Sequence, residues 1–228
     1  MNVLVVGAHP DDEVLGCGGT ISRHISEGDD VQILIVGDGI TPRYKLKDIK
    51  KSFVRKQVTK IQEDCIEANR RLGVNMDNIK ILGHNSGRLD SVSMLEITKS
   101  IESVILSFLP NIIYTHGLSD VNNDHTIVCN AVMAAARPQE GIHIDKVLSF
   151  EVLSSTEWGY HPFKPNYYVY LSLDDICAKI DAMKEYTTEL HDWPHPRSLE
   201  GIDILSQKRG SEIGSEYAEA FQLIREIA

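Results

Sequence analysis

The sequence predicts an α/β protein: a Rossmann-like, mostly parallel sheet with helices on both faces, built as a single domain over residues 1–228. Strand-sized apolar runs alternate with helix-period segments along most of the chain, which is the pattern of βα units. Polar clusters follow directly on two of those runs, where a parallel sheet presents its ligand-binding loops. The 228 residues, 42% hydrophobic and 25% charged, suffice for one core. No linker, repeat or low-complexity segment divides them.

The first strand is expected over residues 2–7, carried by Val3, Leu4, Val5 and Val6. It leads into Pro10, Asp11, Asp12 and Glu13, which suit a helix N-terminus through the fixed proline φ and the acidic charge. A second strand is expected at 31–36. From 53 to 72, Val54, Val58, Ile61, Cys65 and Leu72 form one stripe and predict a helix. Strands near 79–82 and 112–115 enclose another helix, in which Ile101, Val104, Ile105 and Phe108 are spaced i, i+3, i+4, i+7. Pro110 ends it, because the residue before a proline avoids helical geometry. An apolar helix follows at 126–136, then a strand at 147–151. Residues 154–165, with Trp158, Gly159, Pro162 and His161, read as a long surface loop of the kind that often carries function. The last third predicts a strand at 167–171, a helix from near Asp174, a loop at 191–198 and two more helices ending at Ala228.

The formal net charge is −10 and there is no block of Lys or Arg, so a phosphate backbone is repelled and nucleic-acid binding is not expected. A local basic pocket for one anionic ligand stays open. The apolar runs fall far short of the ~20 residues of a membrane helix, and no basic segment with an apolar stretch opens the chain. A cytoplasmic protein with no membrane insertion is the expectation. Cys17, Cys65, Cys129 and Cys177 form no C-x-x-C pair, which suits neither a disulfide framework nor a thiolate zinc site. All four are expected to be buried as small apolar residues.

Two constellations carry chemistry. The first, Gly7-Ala8-His9-Pro10-Asp11-Asp12-Glu13, puts an imidazole and carboxylates at the carboxyl end of a strand. The glycine-rich stretch after it, Leu15 to Thr20, misses the dinucleotide fingerprint because Ile21 stands where a third glycine belongs. The second, Thr115 to His125, crowds His116, Asp120, Asn122, Asn123, Asp124 and His125 into a loop after another strand. Helix capping by Asn123 or Asp124 explains one residue of it but not the cluster. Both loops at one sheet edge would bring together His9, Asp12 and His125, three nitrogen and oxygen donors that suit a catalytic zinc with an open fourth position.

The run Val5 to Glu13, with Gly16 to Gly19 after it, resembles the A-H-P-D-D-E signature of the PIG-L/LmbE-like zinc-dependent de-N-acetylases. Residues 122–125 resemble their second motif. Arg209-Gly210 and Tyr217 to Phe221 resemble their C-terminal segment, so the likeness runs through essentially the whole chain. The resemblance implies His9, Asp12 and His125 as ligands of Zn2+, with Fe2+ fitting the same donors, and Asp11 as general base. One position departs: Asn122 stands where many members carry a histidine that stabilises the oxyanion. An amide donor there is worth ~3 kcal/mol but offers no proton. The acid role then falls to Asp11, or to His116 or His195. Asp124 either orients a ligand ring or caps the helix.

Arg43, Arg88, His195 and Arg197 are the candidate substrate-binding residues, from loops expected at the same rim. The implied reaction is removal of the N-acetyl group from an N-acetylglucosamine-type conjugate, a small-molecule partner. Hydrolysis of another amide of a sugar or thiol conjugate is the near alternative. A non-catalytic module holding a nucleotide or phosphate at a helix N-terminus is the rival, opposed by three adjacent carboxylates. Homo-oligomerisation is left open.

Overall fold

The computed structural model describes residues 1–138 and 140–227. Five strands form its parallel part: β1 (Asn2–Gly7), β2 (Asp30–Gly37), β3 (Ile79–His84), β4 (Ile112–His116) and β5 (Lys146–Phe150). β6 (Tyr167–Leu171) and β7 (Tyr217–Glu226) complete a seven-stranded sheet in the order β3-β2-β1-β4-β5-β7-β6. β7 runs antiparallel to both of its neighbours, so the sheet is mixed but mostly parallel. The helices are α1 (Asp12–Ser26), α2 (Ser52–Arg71), α3 (Met94–Phe108), α4 (Asn123–Ala135), α5 (Leu173–Glu185) and α6 (Leu199–Ser211).

Alternation along β1 shows why both faces are covered. Val3 and Val5 join one buried cluster with Ile33, Ile61 and Met183, while Leu4 and Val6 join another with Ile97, Ile101, Val128 and Val132. α1, α2 and α5 therefore pack on one face and α3 and α4 on the other. The single-domain α/β reading holds, with three corrections. Only one of the two expected closing helices forms, α6, and the segment after it is β7. The expected helical end at Ala228 lies outside the described residues. Cys177 is exposed, whereas Cys17, Cys65 and Cys129 are buried. The long loop at 154–165 contains a 3-10 turn at Thr156–Trp158. Among the described residues, no helix is long and apolar enough to cross a membrane.

The chain order places β2 and β3 on one side of β1 and β4 and β5 on the other. The strand order thus reverses between β1 and β4, and loops leaving their carboxyl ends splay apart into a crevice. Both constellations leave from those two strands.

Candidate metal centre

His9 follows β1, Asp12 opens α1, and His125 lies in the first turn of α4, just beyond β4. The fold draws them into one cluster. His9 Nδ1 and His125 Nε2 are 3.3 Å apart, and the Asp12 carboxylate meets both at 3.3 Å, Oδ2 toward His9 and Oδ1 toward His125. Nitrogen and oxygen ligands bound tetrahedrally to zinc at about 2.0–2.1 Å are about 3.4 Å from one another. The residues fit such an ion by spacing as well as by chemistry.

The far nitrogen of each ring faces a carboxylate. His9 Nε2 is 3.0 Å from Asp124 Oδ2, and His125 Nδ1 is 3.1 Å from Asp120 Oδ2. Pairing of this kind fixes the orientation and tautomer of a metal-binding imidazole. Both carboxylates are themselves anchored. Asp124 accepts from the backbone N–H of Gly87 and of Leu89, and Asp120 from Ser155 Oγ, Thr156 Oγ1 and the Asn122 N–H. Burial opposes charge on the rings, yet Asp12 and Asp124 push His9 up to about 10, and Asp12 and Asp120 push His125 up to about 9. Burial also works against an ionised Asp12, but the charge of His125 beside it holds its carboxyl well below the usual range. The surroundings favour positive charge at this point, which is what a divalent cation supplies.

Asp11 lies beside this cluster on the wall of a cavity of about 420 Å³. Its φ of 112° is in the left-handed region, a strained conformation for a residue with a side chain. Burial, then the charges of Asp12 and Glu189, raise its carboxyl well above the ordinary range, and Arg197 opposes them. Arg197 Nη1 donates to Asp11 Oδ2 at 3.1 Å and to Glu189 Oε2 at 3.3 Å. Asn122 also lines the cavity, and its Oδ1 accepts the Asp124 N–H at 3.0 Å. Asn122 is therefore the cap of α4, and Asp124 is left to hold His9.

The other sequence candidates are placed differently. Arg43 is half-exposed, is not among the residues of the cavity wall, and pairs with Glu189, which is. Arg88 donates to the carbonyls of Thr41, Ser86 and Tyr44 and is not among the residues of the cavity wall, so its guanidinium ties two loops together. His195 is also off that wall: it stacks on His191 at 4.1 Å between ring centroids and accepts the Arg197 N–H at 3.1 Å. His116 is fully buried, stacked on His125 at 4.0 Å, and its Nε2 accepts the Ala8 N–H at 2.8 Å. Burial and the neighbouring His125 push it down to about 4, which leaves a neutral ring that is no general acid. Sequence reasoning gave no role to Asp120 or Glu189. Asp120 sat inside the second constellation, where a carboxylate five residues before a ligand was the available signal; Glu189 had none.

Solved structures share this fold. The N,N'-diacetylchitobiose deacetylase of Pyrococcus horikoshii aligns with a TM-score of 0.76 at 20% identity, over 98% of this chain and 83% of that one. A zinc-inhibited form of the teicoplanin deacetylase Orf2 aligns with a TM-score of 0.75 at 15% identity, covering 98% and 97%. A 4-carboxy-2-hydroxymuconate hydratase, GalB of Pseudomonas putida KT2440, gives 0.76 at 18% identity, covering 100% and 97%. At these identities the likeness is one of fold. The family model described as PIG-L, GlcNAc-PI de-N-acetylase, matches residues 4–136, which include His9, Asp11, Asp12 and His125. The chain belongs to the PIG-L family of deacetylases.

Proposed function

We propose that the protein is a metal-dependent hydrolase that removes the N-acetyl group from an N-acetylglucosamine-type amino sugar or its conjugate. The observation that carries this reading is the 3.3 Å spacing of His9, Asp12 and His125 beside the buried carboxyl of Asp11. A zinc or iron(II) ion held by those three residues would supply Lewis-acid polarisation of the amide carbonyl and an acidified water. Asp11 takes the proton of the attacking water and returns it to the leaving amine, since His116 is neutral and buried and His195 lies off the cavity wall. Arg197 and Glu189 fix the Asp11 carboxylate for that exchange. Asn122 has committed its Oδ1 to the α4 cap, which leaves the amide N–H for a developing oxyanion. Arg43, paired with Glu189 of the cavity wall, would meet polar groups of a conjugate that extend out of the cavity.

Acetate release from a panel of N-acetylglucosamine conjugates tests the reading, with metal content measured on the same sample and chelated protein as control. Acetate that disappears with chelation supports it. Bound metal without acetate overturns it and turns attention to other amides or to addition of water, the reaction named for the hydratase of similar fold. Absence of stoichiometric metal, with His9→Ala leaving nucleotide or phosphate binding intact, favours the binding module.

A further inference from the structure

Glu13, the last residue of the first motif, is fully buried, and nothing in the proposed chemistry uses it. Its two oxygens accept from three elements. Oε2 takes the Asp11 N–H at 3.1 Å, while Oε1 takes Asn69 Nδ2 of α2 at 2.9 Å and the hydroxyl of Tyr186, the residue that ends α5. Asn69 is itself held, because its Nδ2 also donates to Cys65 O at 2.9 Å. Asp11 stands at φ 112° in a buried turn, where its N–H would otherwise be an unsatisfied donor. A strained residue persists only where its surroundings over-determine it.

We propose that Glu13 is the positioning residue of the site: its carboxylate, pinned by Tyr186 and Asn69, holds the Asp11 backbone in the left-handed conformation that presents the Asp11 side chain to the cavity. The inference rests on Asp11 being the base of the proposed hydrolysis. Arg197 grips the same residue at its side chain, so Asp11 is held at both ends, from the core by Glu13 and from the rim by Arg197. What Glu13 contributes is an acceptor rather than a charge. Glutamine offers only one oxygen: with its carbonyl on the Asp11 N–H its amide meets the donors Tyr186 O–H and Asn69 Nδ2, and with its carbonyl on those donors its amide meets the Asp11 N–H. Methionine keeps the volume and removes the acceptor.

Glu13→Met and Glu13→Gln, assayed with the loaded enzyme and by amide exchange of Asp11 in NMR, separate these possibilities. Glu13→Met is expected to lose about 100-fold in kcat with KM and metal content held, as misplacement of one reacting group does. Its Asp11 amide loses protection. Glu13→Gln, whose single oxygen serves the two donors Tyr186 and Asn69, is expected to lose kcat and Asp11 protection in the same direction. Wild-type turnover in Glu13→Met, or an unchanged Asp11 amide in that variant, overturns the proposal. Should Glu13→Met not fold, Tyr186→Phe removes one anchor while keeping the ring. A drop in kcat of about tenfold at constant KM supports the positioning role, and an unchanged kcat overturns it. Wild-type protein that releases no acetate would defeat the deacetylase reading alone, since the amide measurement tests Glu13 without turnover.

Discussion

Asp11 and Asp12 are adjacent carboxylates with opposite environments, and the difference assigns their work. Asp12 sits against His125, which favours its ionised form, whereas burial first and then the charges of Asp12 and Glu189 raise the carboxyl of Asp11. Asp11→Asn keeps the shape and an oxygen for Arg197, so metal content should stay near wild type while kcat falls by about 10²–10⁴-fold. Asp12→Ala should lose the metal itself. Equal metal loss in both variants, read by elemental analysis of purified protein, would remove the division of roles. Asn122 gives a second residue-scale test, because it serves as helix cap as well as cavity wall. Asn122→His should cost about 1 kcal/mol of stability through the lost cap. If the amide stands in for an oxyanion donor, the variant remains active and its kcat/KM profile gains an ionisation. A variant that is inactive with normal metal content would show that the cap geometry, not the donor, is what the site needs.

At the scale of elements, strands followed by chemistry were readable, and the closing strand was not. β1, β2, β4 and β5 are short, mostly apolar runs, buried on both faces, and such runs have few alternatives at their length. β7 has the composition of a helix, Tyr-Ala-Glu-Ala-Phe-Gln-Leu-Ile-Arg-Glu, and only pairing with β5 and β6 makes it extended. The same limit hid Glu189, whose partner Arg43 comes from a distant loop and whose partner Arg197 lies eight residues further along its own. His9, Asp12 and His125 were legible because each sits at a strand's carboxyl end in a recognisable pattern. β7 also repairs a neighbouring helix. α1 breaks at Cys17, where φ is −150° and ψ 25°, and Glu219 of β7 accepts the freed N–H groups of Gly19 at 3.0 Å and Thr20 at 2.7 Å. Lys179 of α5 completes the repair, donating to Glu219 at 2.6 Å and to Leu15 O at 2.9 Å. Both side chains are buried, so Lys179→Met leaves an uncompensated carboxylate and should destabilise by about 3–5 kcal/mol in denaturant unfolding. A loss below about 1 kcal/mol would mean that the two N–H groups alone satisfy Glu219.

Across the whole molecule, the candidate centre joins three distant stretches: the β1–α1 turn, the β4–α4 loop and the loop between α5 and α6 that carries Glu189 and Arg197. A metal bound by His9, Asp12 and His125 ties the first two directly, and the third follows through the grip of Arg197 on Asp11. The strain at Asp11 and the packed carboxylates Asp11, Asp12, Asp120, Asp124 and Glu189 are costs of the folded state, which a cation offsets there and much less in the open chain. Binding to the folded state alone stabilises by RT ln(1 + [metal]/Kd), about 4 kcal/mol at a thousandfold excess over Kd. At about 2–4 °C per kcal/mol for a chain of this size, chelated protein should melt about 8–16 °C below protein saturated with Zn2+. Fe2+, if it takes the same donors, should also raise the melting point, by less than Zn2+ at equal concentration because such donors bind it more weakly. Hydrogen exchange after chelation should quicken first at residues 117–125 and 187–198, ahead of the sheet, because the core clusters on either face do not depend on the ion. A melting point indifferent to both chelator and metal, with His9→Ala melting as wild type does, would show that the three donors hold no ion and that the carboxylates are balanced by their protein partners alone.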